Sequence, residues 1–259
     1  MVALDAETAV VSRILRSDAT SHGFGMYTLA ASSECAKIAR QVENEVFAEM
    51  FDQTPDEMRV EYSPYDEASR FLVVIDHRES QIAGVCRVVE YSPLGLPTLN
   101  DMAAISGWDI SVSEIESRES LNINLSKSWD FTTLAVRKKY RKGDDGPFVS
   151  LALFHGLHWS CLVNEIDLGF IIFDTAVLSM LHDMGLHFFR AIKGLEPKEH
   201  MGSPSSVPCI APASDVVPMI LASGNSYARQ IISGELFAGR LSMPDSIIDI
   251  RTKVLADAQ

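Results

Sequence analysis

A run of basic residues followed by glycines is the part of this sequence whose composition first suggests chemistry. An apolar stretch ends at Val136, and five cations follow it: Arg137, Lys138, Lys139, Arg141 and Lys142. Gly143, Asp144 and Gly146 come next, and then an apolar helical pattern begins. Glycines let the backbone approach an anion, and a helix N-terminus adds partial positive charge. This order predicts a phosphate cradle, and a solvated charge run in an ordinary strand-to-helix connection is the alternative.

Composition narrows the classes of protein. The 259 residues are 47% hydrophobic and 22% charged, which is typical of a globular protein with a substantial core. The formal net charge of −13 argues against nucleic acid as the main partner, because binding phosphates requires a basic surface. The four cysteines are far apart in sequence, so neither a zinc site nor a disulfide framework is expected: they are Cys35, Cys86, Cys161 and Cys209.

Hydropathy predicts no membrane span, because no apolar segment approaches the roughly 20 residues that one needs. Asp5 and Glu7 precede any long apolar run, which does not fit a secretory signal. We therefore expect a soluble, cytoplasmic protein without a metal site.

Hydrophobic periodicity predicts an α/β fold. The expected strands cover 27–30, 71–76, 81–91, 131–136, 167–173, 186–192 and 209–211. The expected helices cover 34–51, 100–105, 148–163 and 176–184, with a helical tail whose last segment is capped by Asp245. Ser32 or Ser33 is the predicted cap of the first long helix, and Asp174 or Thr175 is that of the helix at 176–184. An acidic loop is expected over 52–69, and a Gly/Pro/Ser-rich loop over 193–208.

This order of elements resembles the GCN5-related N-acetyltransferase (GNAT) superfamily. The segment LAVRKKYRKGDDG at 134–146 is similar to its Arg/Gln-x-x-Gly-x-Gly/Ala signature, which cradles a pyrophosphate, although the middle glycine is displaced by one position to Gly143. The resemblance implies an acyl-CoA or acyl carrier protein thioester, with its phosphopantetheine arm, as co-substrate. The implied binding residues are Leu134, Ala135, Val136, Arg137, Arg141, Lys142, Gly143, Asp144 and Gly146.

A more detailed similarity is to acyl-homoserine-lactone (autoinducer) synthases and the related long-chain N-acyl amino acid synthases. The matching pieces are VF at 46–47, EYSPYD at 61–66, GVCR at 84–87 and WDFTTLAV at 129–136. Five positions depart from the branch pattern. Glu43 and Thr133 stand where the branch has arginine, and Asp130 stands where it has glutamate. Ser63 replaces the middle acid of a trio, and Gln53 replaces a tryptophan. These departures argue against homoserine lactone synthesis itself.

Attack of an amine on a thioester requires a base and an oxyanion donor. The resemblance places the carbonyl near the backbone N–H groups after Leu134, with Asp130 as the candidate base, assisted by Glu61. It also brings Glu61 and Asp66 over the acceptor, where they would hold its ammonium group. Arg87 lies in an apolar strand and should pair with Asp66 or Glu61. For these acids the alternatives are an exposed acidic loop and purely structural salt bridges.

Other aromatic and titratable residues have plainer interpretations. The helical position that carries a general-acid tyrosine in many GNAT proteins is Leu181, and the synthase branch lacks that tyrosine as well. We interpret three histidines as ordinary helix residues, not ligands: His155, His158 and His182. We interpret three aromatic residues as core, although an acyl tunnel would use the same types: Trp159, Phe170 and Phe173.

The sequence thus predicts a GNAT-like mixed, mostly antiparallel twisted sheet flanked by helices. The expected organisation is a lead-in (1–25), an acyltransferase domain (26–211) and a helical C-terminal extension (212–259). The predicted function is transfer of an acyl group, longer than acetyl, from acyl-CoA or acyl carrier protein to a small amine such as an amino acid derivative. An ordinary acetyl-CoA-dependent acetyltransferase and a degenerate binding module are the alternatives. The basic run is also a candidate docking surface for a carrier protein, and for the C-terminal helices a lid, a homodimer interface and plain packing remain open.

Overall fold

A computed structural model of the protein describes residues 7, 9–11, 13–14, 22–104, 108–142 and 147–258. The strands are β1 (Phe24–Ala30), β2 (Ser69–Asp76), β3 (Gln81–Glu90), β4 (Ser128–Val136), β5 (Leu168–Asp174), β6 (Arg190–Ala191), β7 (Lys198–His200), β8 (Ser203–Pro212) and β9 (Leu241–Ser242). The helices are α1 (Ala36–Phe51), α2 (Pro55–Tyr62), α3 (Pro97–Ala104), α4 (Val112–Glu119), α5 (Phe148–Val163), α6 (Thr175–Asp183), α7 (Val216–Ser223), α8 (Ser226–Ser233) and α9 (Asp245–Asp257).

These strands form one mixed sheet in the order β6-β8-β5-β4-β3-β2-β1-β9, with β7 paired to β8. Most neighbours are antiparallel, whereas β4 and β5, and also β1 and β9, are parallel. The predicted fold class is confirmed. The central β4–β5 pairing is short, because it runs only from Ser128 opposite Leu168 to Asp130 opposite Phe170. Beyond Asp130 the two strands separate.

Helices cover both faces of the sheet. In β2, Leu72 and Val74 join the core around α5, whereas Phe71, Val73 and Ile75 join the core around α1. This alternation follows from the two-residue period of a strand. Because both faces are covered, the strand reads as a continuous apolar run.

The C-terminal helices pack on α5 through hydrogen bonds as well as apolar contacts. Trp159 Nε1 donates to the Ile232 carbonyl at 3.1 Å. His155 Nδ1 donates to the Ile231 carbonyl at 2.6 Å, and Arg251 donates to His155 Nε2 at 3.2 Å. Burial and the neighbouring Arg251 charge lower the pKa of His155 to about 3, so its ring is neutral. These helices therefore share the α5 core, and division of the chain near residue 212 stays a prediction.

Two helices lie where the sequence predicts no helix. The predicted loop at 52–69 contains α2 and a 3-10 turn over Ser63–Ala68. Thr54 caps α2 through a reciprocal capping box with Glu57, and Ser111 caps α4 in the same way with Glu114. The S/T-x-x-E signal was present in both segments and outweighs their acidic composition.

Three smaller predictions are also wrong. Neither Ser32 nor Ser33 caps α1, whose N-cap is Cys35 without a side-chain hydrogen bond. Asp245 begins α9 but provides no side-chain cap. The strand expected at 186–192 shrinks to β6, and β8 extends far beyond 209–211, into the predicted loop. Leu186, Phe188 and Phe189 are apolar because they fill the α5 core, not because they pair as a strand.

Candidate active site

A cavity of about 150 Å³ lies where β4 and β5 separate. Its walls include Phe131–Leu134 of β4 and Ile171–Asp174 of β5. Phe47 and Tyr62 belong to the core around α1, and Phe154 to the core around α5. The cavity, hereafter the split cavity, therefore passes from one face of the sheet toward the other.

The β4 strand is bulged beside this cavity. Arg87 opposes Thr133 and Val88 opposes Phe131, so Thr132 has no counterpart on β3. Bulges re-aim side chains at such places. Thr132 lines the split cavity, and its Oγ1 has no hydrogen-bond partner in the described part of the chain.

Gly169 of β5 makes room for the ring that forms one wall of the cavity. It pairs with Trp129 immediately before the strands separate. A Cβ at Gly169 would lie 2.3 Å from Cε2 of Phe131. The absence of a side chain here therefore lets the Phe131 ring lie against β5.

Asp101 and His200 both line the split cavity, although they are distant in sequence. Asp101 lies on α3 and His200 on β7, with Asp101 Oδ2 3.6 Å from His200 Nε2. Burial and the nearby Glu61 carboxylate raise the pKa of Asp101 to about 7. Burial lowers the pKa of His200 to about 4, so the imidazole is neutral at pH 7. No sequence pattern pointed to either residue, because they are distant in the chain and α3 lies in a weakly patterned stretch.

Asp130, the predicted base, is completely buried and does not line the split cavity. Its carboxylate accepts the Thr98 backbone N–H at 2.6 Å and the Thr98 Oγ1–H at 2.8 Å. Burial raises the pKa of Asp130 to about 7 in spite of these two bonds. Because Thr98 lies in the first turn of α3, Asp130 fixes the helix that carries Asp101.

Glu61, near the end of α2, is partly buried, and burial raises its pKa. Its charge contributes to the raised pKa of Asp101, but Glu61 itself does not line the split cavity. Glu61 does not pair with Arg87, although that pairing was one of the two predicted.

Arg87 is the centre of a buried network next to the site. Arg87 Nη2 and Nε donate to the two oxygens of Glu43 at 2.6 and 3.0 Å, and Nη1 donates to Asp66 Oδ1 at 3.2 Å. Thr133 Oγ1 donates to Glu43 as well. The guanidinium also lies over the rings of Tyr62 and Phe71. Pairing with Asp66 follows the prediction, whereas Glu43 was missed.

In this network the two departures from the synthase pattern at Glu43 and Thr133 are linked. Glu43 and Thr133 both stand where arginine is expected, and they bond to each other. With arginine at both positions, Arg87 would face two further buried cations, which is costly. Here the Glu43 carboxylate neutralises Arg87, and the Thr133 hydroxyl donates to that carboxylate. Asp66 is occupied by Arg87 and by Arg40, 2.9 Å away, and is therefore not free for an acceptor's ammonium.

Comparison with known proteins agrees with this geometry. An acetyltransferase (GNAT) domain model matches residues 42–145. The structure of the chain is similar to that of FeeM, an N-acyl amino acid synthase from uncultured soil microbes, with 14% identity and a TM-score of 0.55 over 77% of this chain and 95% of that one. It is also similar to BjaI, a CoA-dependent acyl-homoserine lactone synthase solved with SAM and isopentyl-CoA, with 12% identity and a TM-score of 0.55 over 87% and 97% of the respective chains.

These two structures confirm the resemblance at the level of the fold. No curated protein sequence matches significantly. Among the described residues, no helix is both long and apolar enough to cross a bilayer, and no cluster of three or more His, Cys, Asp or Glu is arranged to hold a metal ion.

The basic run at 137–142 is largely neutralised by glutamates. The ion pairs, all at 3.2 Å or less, join Arg137 to Glu7 and Glu45, Lys138 and Arg141 to Glu49, and Lys139 to Glu79. Tyr140 anchors the 3-10 turn in this run by donating to Asp76 at 3.1 Å. The side chains therefore brace the end of β4 against α1 and the β2–β3 turn. Lys142 is exposed.

The remaining predicted cofactor residues divide between two places. Leu134, Ala135 and Val136 pair with β3 on one side, and Leu134 also lines the split cavity. Arg141 Nε donates to the Val136 carbonyl at 2.6 Å, which folds the chain back at the end of the strand. Residues 143–146, and with them the predicted roles of Gly143, Asp144 and Gly146, lie outside the described residues.

Proposed function

We propose that the chain is an N-acyltransferase that moves an acyl group longer than acetyl from a thioester to a small amine. The split cavity carries this proposal, because it is apolar toward α5 and acidic toward α3 and β7. Phe131, Phe154 and Phe173 suit an acyl chain, whereas Asp101 and His200 suit an amine. FeeM and BjaI, which share the fold, support transfer to an amine acceptor.

Asp101 is proposed as the base, with Asp130 acting behind it. The acceptor's ammonium binds at Asp101 and loses a proton to that carboxylate, whose pKa near 7 suits that task. The amine nitrogen bonds to the thioester carbonyl, the carbon–sulfur bond breaks, and the thiolate leaves and takes up a proton. Asp130, which the sequence predicted as the base itself, is proposed instead to lie behind Asp101 in the proton path, because the Thr98 hydroxyl on the cavity wall donates to it.

The residues that line the split cavity also indicate which kind of acceptor would bind. Its described residues include Asp101, Asp174 and His200 but no lysine or arginine. A free carboxylate would find no cation there and would be repelled by the acids. The proposed acceptor is therefore an amine or an amino acid derivative whose carboxyl group is masked, as in an ester or amide.

The donor is proposed to be acyl-CoA, with acyl carrier protein as the alternative. A carrier protein is recognised by steering its acidic surface onto unpaired positive charge. The cations of Arg137–Arg141 are instead paired with glutamates, so their long-range field is weak. This pairing argues against long-range attraction of an acidic protein, whereas the phosphates of acyl-CoA need only short-range contacts, for which Lys142 is exposed.

The test is free-thiol release, with binding followed in parallel by native mass spectrometry. Acetyl-CoA, decanoyl-CoA and decanoyl carrier protein are compared as donors, with an amino acid and its amide as acceptors. We expect decanoyl-CoA and the amide to be preferred. Asp101→Asn should still bind decanoyl-CoA but lose turnover by about 100-fold or more.

Each other outcome has a definite meaning. Equal use of acetyl-CoA and decanoyl-CoA would establish an ordinary acetyltransferase. Binding of thioesters without any thiol release would establish a binding module. Failure to bind any thioester would refute the proposal altogether.

A further inference from the structure

His158 on α5 is a buried histidine whose polar atoms are unused. Only 5% of the residue is exposed, and neither ring nitrogen has a hydrogen-bond partner within the described residues. His155, almost one turn earlier on α5, has both ring nitrogens bonded, at 2.6 and 3.2 Å. Burying a polar group without a partner costs free energy, so the contrast between the two histidines requires an explanation.

The ring of His158 lines a second, smaller cavity of about 20 Å³. This inner cavity is otherwise apolar; its walls include Leu157, Cys161, Phe188 and Phe189. Phe131 and Phe154 line both this cavity and the split cavity. The inner cavity is therefore the next space beyond the split, on the side of α5.

The distance along β4 indicates how long an acyl chain must be to extend from the reacting carbonyl to the inner cavity. The thioester carbonyl is expected near Leu134, and Phe131 lies three residues back along the strand. At about 3.3 Å per residue this separation is about 10 Å. An acetyl group ends far short of Phe131, whereas the distal part of a longer acyl chain reaches the aromatic pair and the space behind it.

The chemistry of the imidazole identifies the group that would satisfy it. Burial lowers the pKa of His158 to about 3, so the ring is neutral. A neutral imidazole has one N–H donor and one bare nitrogen that accepts. A hydroxyl group can bond to either ring nitrogen, because it can donate to the bare nitrogen or accept from the N–H, whereas an unsubstituted alkyl chain would leave both nitrogens unsatisfied.

We propose that His158 is a specificity residue that binds a hydroxyl group on the distal part of the donor's acyl chain. This inference rests on the proposed acyltransferase function and adds the donor class, a hydroxylated long-chain acyl thioester. Because His158 is far from the reacting carbonyl, it affects which acyl chain binds and not the transfer reaction itself. Discrimination of this kind is strong, because the wrong chain leaves a buried polar group unpaired.

The test compares Kd values for decanoyl-CoA and for its isomers with a hydroxyl at the third, eighth or tenth carbon. We expect wild-type protein to bind a distally hydroxylated isomer about tenfold more tightly than decanoyl-CoA, which corresponds to one buried hydrogen bond. His158→Phe should reverse this preference. Phe188→Leu, which alters the same cavity without changing its polarity, should weaken all the chains alike.

The outcomes separate this inference from the function on which it rests. If wild-type protein binds decanoyl-CoA and the distal isomers equally, His158 is only a packing residue and the inference is wrong, although the acyltransferase proposal stands. The same holds if His158→Phe retains the wild-type preference. If no thioester binds, the proposed function itself fails. Thermal unfolding of His158→Phe checks that it folds, and His158→Leu replaces it if it does not.

Discussion

The buried network around Arg87 offers a direct test of what holds the site together. Glu43→Gln keeps the shape of the side chain but removes its charge. Arg87 is 3% exposed and Glu43 1%, so water compensates neither. Two of the three hydrogen bonds from Arg87 to carboxylates go to Glu43. Breaking a buried pair costs about 3–5 kcal/mol, and because Asp66 still faces Arg87 we expect about 3 kcal/mol.

The assay is urea unfolding, evaluated as the free energy of unfolding in a double-mutant cycle. Arg87→Met alone leaves Glu43 buried without its cation and should be at least as destabilising as Glu43→Gln. Glu43→Met combined with Arg87→Met removes both charges and should be more stable than either Glu43→Met or Arg87→Met. The matched control is Glu34→Gln, which breaks an exposed pair with Lys37 and should leave stability unchanged within error.

The reasoning fails if Glu43→Gln costs less than about 1 kcal/mol, the value of a surface pair. It also fails if the double variant is less stable than both single variants, because the charges would then not be coupled. A normal m-value is required in each case, since a changed m-value would mean that the compared states differ.

Three further predictions follow from the site. The kcat/KM value should rise with pH through about 7 as Asp101 loses its proton. Asp101→Asn should abolish this rise. The kcat/KM of the variant should then increase only at higher pH, where the acceptor amine itself loses its proton. Burial raises the pKa of Asp130 to about 7 in the folded state, so its stabilising contribution, complete below about pH 4, is lost as pH rises through 7. Urea unfolding of Asp130→Asn should therefore show its stability rising relative to wild type over that range, and a constant difference would contradict the burial argument. Gly169→Ala should lower the free energy of unfolding by about 1–3 kcal/mol, because the new methyl group meets the Phe131 ring at 2.3 Å; an unchanged value would show that the ring moves freely.

Several elements were determined by local sequence alone. The α5 helix was predicted with its observed bounds because fourteen of its sixteen residues are apolar or small and none is proline, which leaves little alternative. The β2–β3 hairpin was predicted because β-branched runs flank a short polar turn. Asp174 was predicted as a cap, and its Oδ1 accepts the Ala176 N–H at 2.8 Å. These features depend on neighbours within a few residues, which are visible in the sequence.

The site was determined only by the tertiary structure. Asp101 and His200 meet because α3 and β7 flank the same split, and no local pattern records that. The basic run reads as free charge in the sequence, yet the glutamates that neutralise it come from elsewhere in the chain, among them Glu7, Glu49 and Glu79. Electrostatic pairing depends on distance in space, so its partners cannot be assigned from spacing along the chain. The sequence by itself determined most of the strands, the long helices α1 and α5 and the family resemblance; the tertiary structure decided which charges are paired and which face the split cavity.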